Sequence, residues 1–183
     1  NHKLIEPAMK LFEFTLKFAL PKGELNSEIY VEQLATSGCD DALIGIGQPG
    51  KIALQFTRKA NGANEAILSA IGDVKKAIPD AHLTEATPDL VGITDIAELL
   101  GFSRQNIRKL ILNHTQDFPS PVHEGKSSIW HLSNVLKWFQ EDRQRPVDPT
   151  LLETAYTTMQ VNLAKEATNL DSRLHSQMTA LIS

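Results

Sequence analysis

Arg104, Gln105, Asn106 and Arg108 lie within five consecutive positions, and each carries the donors and acceptors that the edge of a DNA base can meet bidentately. Arginine matches the N7 and O6 acceptors of guanine, while asparagine and glutamine match the acceptor and donor pair of adenine. Lys109 and Lys126 can each neutralise a phosphate without reading sequence, and His114 or His123 can do the same. Ser103 stands one residue ahead of the group, where a hydroxyl can cap a helix and touch phosphate.

Other reactive residue types form no comparable set. The histidines at 2, 82, 114, 123, 131 and 175 lack paired metal-ligand spacing, so no metal is expected. Asp40-Asp41 reads as a turn rather than an acid/base pair. Gly45, Gly50 and Lys51 have the spacing of a phosphate-binding loop, but Ile52 stands where Ser or Thr would meet magnesium, and Pro49 removes an amide donor. Cys39 is the only cysteine, which excludes an internal disulfide and reads as a passive thiol beside a turn. Neither catalysis nor a cofactor is expected.

Base-reading side chains need a rigid support, and the flanking pattern supplies one. Ile93, Ile96, Ala97, Leu99 and Leu100 recur as one face of a short helix with Thr94 as its expected N-cap. Gly101-Phe102-Ser103 then turns the chain, with Gly101 left-handed, Phe102 in the core and Ser103 capping the next helix. In that helix, 103–113, Ile107, Leu110 and Ile111 face inward and leave the polar residues outside. Residues 117–132 predict a β-ribbon: a strand at 122–124, a turn at Gly125-Lys126 and a return at 128–132. Ser133 is expected to cap a helix carrying Val135, Leu136, Trp138 and Phe139. Trp130 and Trp138 read as core residues rather than stacking platforms.

The run GITDIAELLGFSRQNIRKLI, followed by FPSPVHEGKSSIWHLSNVLKWF, resembles the winged helix-turn-helix of the MerR-like, AlpA and excisionase group of bacterial and phage DNA-binding proteins. The matching features are Ile96-Ala97, the turn from Leu100 to Ser103, the polar stretch from Arg104 to Lys109, the Phe-Pro-x-Pro of 118–121 and the helix of 133–139. The resemblance implies a transcriptional regulator of double-stranded DNA, with helix 103–113 in the major groove and a wing, 121–132, on the backbone. The wing of such proteins is often rich in arginine, whereas this one offers Lys126, Ser127, Ser128, Trp130 and His131.

The rest of the chain predicts an α+β protein. Residues 1–10 read as a flexible terminus. Over 11–88 the order is β-α-β-β-α-β: a strand at 11–20, a helix capped by Asn26 or Ser27 and ended by Gly38, strands at 42–47 and 51–58, a helix at 63–77, and a strand near 81–86. That succession is what a ferredoxin-like sandwich requires, a fold that names no function. The winged unit spans 89–145. In the tail, 146–183, Leu151, Ala155, Met159, Leu163, Ala167, Leu170, Leu174, Met178 and Leu181 draw one apolar stripe and predict a long C-terminal helix. A second copy of the chain is its simplest cover, giving a homodimer; folding back on the sandwich is the alternative.

Charge agrees with this division. The chain of 183 residues carries a net charge of -4, which excludes a protein that coats nucleic acid or anionic membrane by bulk charge. Residues 1–91 are net -3, 146–183 are net -2, and only 92–145 are net positive, at +1. No apolar run approaches a membrane span and the first residues lack the order of a signal peptide, so a cytoplasmic protein is expected. A second class of function stays open, a protein-interaction adaptor or antitoxin-like subunit whose N-terminal sandwich binds a partner or small ligand.

Overall fold

Phe12, Phe14, Leu16 and Phe18 alternate with polar residues, and in the computed structural model, which describes residues 8–23 and 26–183, this strand lies inside a four-stranded sheet. β1 (Lys10–Ala19) pairs with β3 (Lys51–Ala60) on one side and β4 (His82–Thr87) on the other, and β2 (Ala42–Gly45) joins β3. The order is β2-β3-β1-β4, antiparallel throughout. Phe14 lies opposite Phe56 and Leu16 opposite Leu54, all buried on one face, and the two phenylalanine rings stack with centroids 5.2 Å apart. Against that face pack Leu34 of α1 (Val31–Thr36) and Ala66, Ile67, Ala70 and Val74 of α2 (Ala63–Ala77). Asn26 caps the 3-10 turn Ser27–Tyr30 that leads into α1. Of the expected flexible terminus, positions 1–7 lie outside the described residues, and Lys10 is already paired with Ala60.

One inward position of β3 is charged. Arg58 uses all five guanidinium donors: Nε and Nη2 to the Asp41 carboxylate, Nη1 to Ser69 Oγ and Asp73, and Nη2 also to the Gly38 carbonyl, at 2.6 to 3.0 Å. Asp41, expected to serve only a turn, is thus half of a bidentate pair that staples the α1–β2 connection to α2. Gly38 has φ +104, and a Cβ there would stand 2.8 Å from Asp73 Oδ2, so the carboxylate can approach only a glycine. Cys39 is buried beside this cluster. Burial, and then the Asp73 charge, push its thiol from an ordinary 9.0 up to about 11.

A second core forms around Ile96, Ile107, Phe118, Leu132, Leu136 and Phe139, and it includes both tryptophans. It is built by β5 (Leu90–Val91), α3 (Ile93–Leu100), α4 (Arg104–Asn113), β6 (Trp130–His131) and α5 (Leu132–Glu141). The tail departs from its expectation. In place of one long helix there are two, α6 (Pro149–Ala167) and α7 (Ser172–Ile182), because Asp171 accepts hydrogen bonds from the amides of Arg173 and Leu174 and starts a new helix. The stripe divides within α6, between Met159 and Leu163. Ala155 and Met159 are buried within the chain, whereas Leu163, Leu170, Leu174, Met178 and Leu181 are exposed.

α6 joins the two cores, with Leu151, Leu152 and Ala155 reaching the second and Val161 the first. Polar groups lock the junction. Asp89, 1% exposed, accepts from His131 Nδ1 at 2.7 Å on one carboxylate oxygen and from Asn162 Nδ2 at 2.9 Å on the other, while its carbonyl accepts from the Leu132 amide. Asn162 also donates to the Ala86 carbonyl and accepts from the Ala86 amide, at 2.7 and 2.9 Å. Thr158 Oγ1 donates to the Pro88 carbonyl.

Two outcomes follow from the Arg58 cluster. Arg58→Ala strands two carboxylates and should lower the unfolding free energy in urea by about 3–5 kcal/mol; a loss within the ~1 kcal/mol typical of a surface pair would refute the staple. The folded Cys39 thiol stays neutral up to about 11 while the unfolded one ionises near 9.0, so its contribution is complete below that lower value and falls as pH rises between the two. A thiol reagent applied below pH 9.0 should therefore label Cys39 only when denaturant opens the fold, and rapid native labelling would contradict its burial.

Candidate nucleic-acid interface

The polar cluster of 103–109 is mounted on a tight helix pair. α3 begins two residues earlier than its expected cap allows: Gly92 is the N-cap and donates its amide to Asp95 Oδ2 at 3.0 Å, which leaves Thr94 inside the helix. Gly101 ends α3 in the left-handed region, φ +70, where its missing Cβ removes the strain another residue would meet. The Phe102 amide returns to the Ala97 carbonyl at 2.9 Å, and the Phe102 ring stacks on Phe139. Ser103 Oγ then accepts from the Asn106 amide at 3.1 Å and caps α4, as its position predicts.

Successive side chains on a helix turn by roughly 100°. Ile107 is fully buried and Leu110 and Ile111 are half-buried, so the opposite side of α4 is centred on Gln105, Lys109 and Leu112, with Arg108 beside them and Arg104 and Asn106 at the margins. All of these outer residues are exposed. The side chains of Arg104, Gln105, Asn106, Arg108 and Lys109 make no hydrogen bond or ion pair to any described residue. α4 holds three cations and no acid, so a local positive field stands on a chain that is acidic overall.

The segment after α4 differs from the expected ribbon. Strand 122–124 meets the returning chain through a single bridge, His123 to Ile129, and the partner of Trp130–His131 is Leu90–Val91, upstream of α3. The reason lies in burial: Trp130 is drawn into the core, where its ring meets Phe118 edge-on and its Nε1 donates to the Pro119 carbonyl at 2.9 Å. Loop 122–129 still projects Lys126 and His123 into solvent. Ser133 is not a cap. α5 starts at Leu132 behind His131, and Ser133 is buried within its first turn. His114 is not free for phosphate either. Its Nε2 accepts from Arg143 Nη1 at 3.2 Å, so its Nδ1 is the donor to Asp117 Oδ1.

Three exposed residues on α4 or next to its ends were not singled out by residue type and spacing. Leu112 is 72% exposed on the outer side of α4. Helical periodicity alone could have placed it there. Arg143 and Arg145 approach α4 from the turn after α5, Arg145 through the Leu100 carbonyl and the Phe102 ring. No local signal marks that approach, because it depends on how α5 packs. No protein-family model, curated protein or solved structure matches the chain.

Ser103→Ala removes the cap of α4 without touching either core, and should cost about 1 kcal/mol of stability in urea unfolding. No measurable loss would mean that the Ser103 bond to Asn106 contributes nothing to this helix.

Proposed function

We propose that this chain is a sequence-specific, double-stranded DNA-binding transcriptional regulator in which residues 89–145 are a winged helix-turn-helix, α4 enters the major groove and loop 121–132 lies along the backbone. The observation that carries this reading is the outer side of α4, with three exposed cations, no acid and no partner for its polar side chains among the described residues. On a helix exposed only to water, acids one turn away would stabilise such charge. A polyanion does the same for α4 and releases its own counterions in the process.

Each side chain then has a role. Gln105 reads base edges from the centre of the face and Arg108 from beside it, Arg104 and Asn106 read from its margins, and Leu112 meets a thymine methyl. Ser103, Lys109 and Lys126 hold phosphate and fix register. The pairing of Leu90–Val91 with Trp130–His131 supports the winged form, since it anchors the loop beside α4. Residues 11–88, with strand order β2-β3-β1-β4, are read as a ferredoxin-like unit that senses a ligand or holds a partner. A homodimer is read through α7, whose Leu174, Met178 and Leu181 are exposed and which buries no residue of its own, and paired half-sites on DNA suit such a dimer.

A second reading has one observation in its favour. Leu11 and Leu43 are 52% and 74% exposed on the outer side of the sheet, as a protein-interaction adaptor or antitoxin-like subunit would use them. Copurification of a partner that is lost on Leu43→Lys would favour it.

The primary reading is tested by binding to duplexes selected from a random pool. Arg104→Ala and Arg108→Ala should each cost about 1–3 kcal/mol of affinity and relax the base preference at one position. Affinity and selectivity that survive both substitutions remove α4 as the reading element.

A further inference from the structure

Arg143 and Arg145 leave α5 through an unusual turn. Gln144 between them has φ +47, a left-handed conformation that residues other than glycine adopt rarely, and the Arg145 amide closes the turn on the Phe139 carbonyl at 3.0 Å. The turn sends the two side chains to opposite ends of α4. Arg143 Nη1 donates to Nε2 of His114, the residue that ends α4, and its guanidinium lies 5.9 Å from the Trp138 ring centroid. Arg145 Nη2 donates to the carbonyl of Leu100, ahead of the turn into α4, at 3.1 Å, and its guanidinium lies 4.0 Å from the Phe102 ring centroid.

A guanidinium has five donors, and each arginine spends one within the described residues. Both side chains are exposed, and neither pairs with a described carboxylate. Asp117, which shares His114 with Arg143, is taken up by His114 and by Trp138 Nε1. Capping the Leu100 carbonyl needs one neutral donor; it does not need a charge with its other donors free. Stacking on an aromatic ring holds a guanidinium in place before any ligand arrives, which lowers the entropy lost on binding.

A helix of this length, roughly 15 Å, is long enough to bring its two ends to the two sugar-phosphate strands when its axis is tilted across a major groove roughly 12 Å wide. We infer that Arg143 and Arg145 are paired phosphate clamps at the two ends of α4, each gripping a phosphodiester of a different strand. The inference rests on the DNA-binding reading of α4 and assigns the backbone contacts that the arginine-poor loop around Lys126 leaves unfilled.

The test is the salt dependence of full-chain binding to a selected duplex, followed by fluorescence anisotropy. Arg143→Gln and Arg145→Gln keep an N–H that can reach His114 or Leu100 but lose the charge. Each should flatten the slope of log Kd against log salt by about 0.9 and weaken all base variants of the site equally, whereas Arg145→Lys should keep the slope. A second measurement uses the unaltered chain, so it does not depend on the variants folding. Replacing single phosphates by neutral methylphosphonates should reveal one sensitive position on each strand. Wild-type slopes in both Gln variants, or no sensitive phosphate on one of the strands, would overturn the clamps while leaving α4 as the reading helix. Absence of salt-dependent duplex binding by the unaltered chain would instead remove the DNA reading, and the clamps with it.

Discussion

A buried carboxylate is tolerable only when its oxygens find donors, and Asp89 draws them from His131 on β6 and Asn162 on α6. Its own carbonyl takes the Leu132 amide, the first of α5. One residue between the sheet and the helical unit therefore fixes the end of β4, the start of α5 and the middle of α6 together. Placed on the surface, the same three contacts would contribute little; at 1% exposure, losing any of them leaves a polar group stranded. The rest of the molecule depends on this knot, because it sets where β6 lies and thus how loop 122–129 stands beside α4.

α6 works in the same direction by other means. Thr157 donates to Asn64 of α2, Glu153 accepts from the amide of Ala63, and Ala155 enters the core that holds Ile107. Short and hydroxyl-bearing side chains let this helix lie close to both cores while their polar atoms stay satisfied. With α5 and α6 behind it, α4 has one side committed to packing. The other side is left to solvent, and no acid on α4 itself offsets its charge.

Much of this was legible from pattern alone. Period-2 alternation marked the inner face of β1, and the left-handed Gly101 and the capping Ser103 followed from what a tight interhelical turn demands. The outward set on α4 followed from the positions of Ile107, Leu110 and Ile111. What pattern could not supply was any feature set by long-range packing. The apolar stripe of the tail has helical spacing on both sides of Asp171, so periodicity carried through a break that side-chain capping decides. The partner of β6 is forty residues upstream, chosen by the burial of Trp130 rather than by the turn at Gly125. Alternation puts Arg58 on the inner face of β3 beside Leu54 and Phe56, but the partners that make it the buried hub of the α1–β2 connection are set by long-range packing. Gln144 occupies a conformation for which sequence favours glycine, so neither of its arginine neighbours could be aimed in advance.

Asn162 has one further consequence. By giving an oxygen to the Ala86 amide and an N–H to the Ala86 carbonyl, its side chain imitates a neighbouring peptide and seals that margin of the sheet against a fifth strand. The opposite margin is β2, only four residues long and ending in Gly45, which gives an incoming chain little to zip onto. Edge-to-edge growth into fibrils is thereby discouraged at both borders by different devices, a molecular plug on one and brevity on the other.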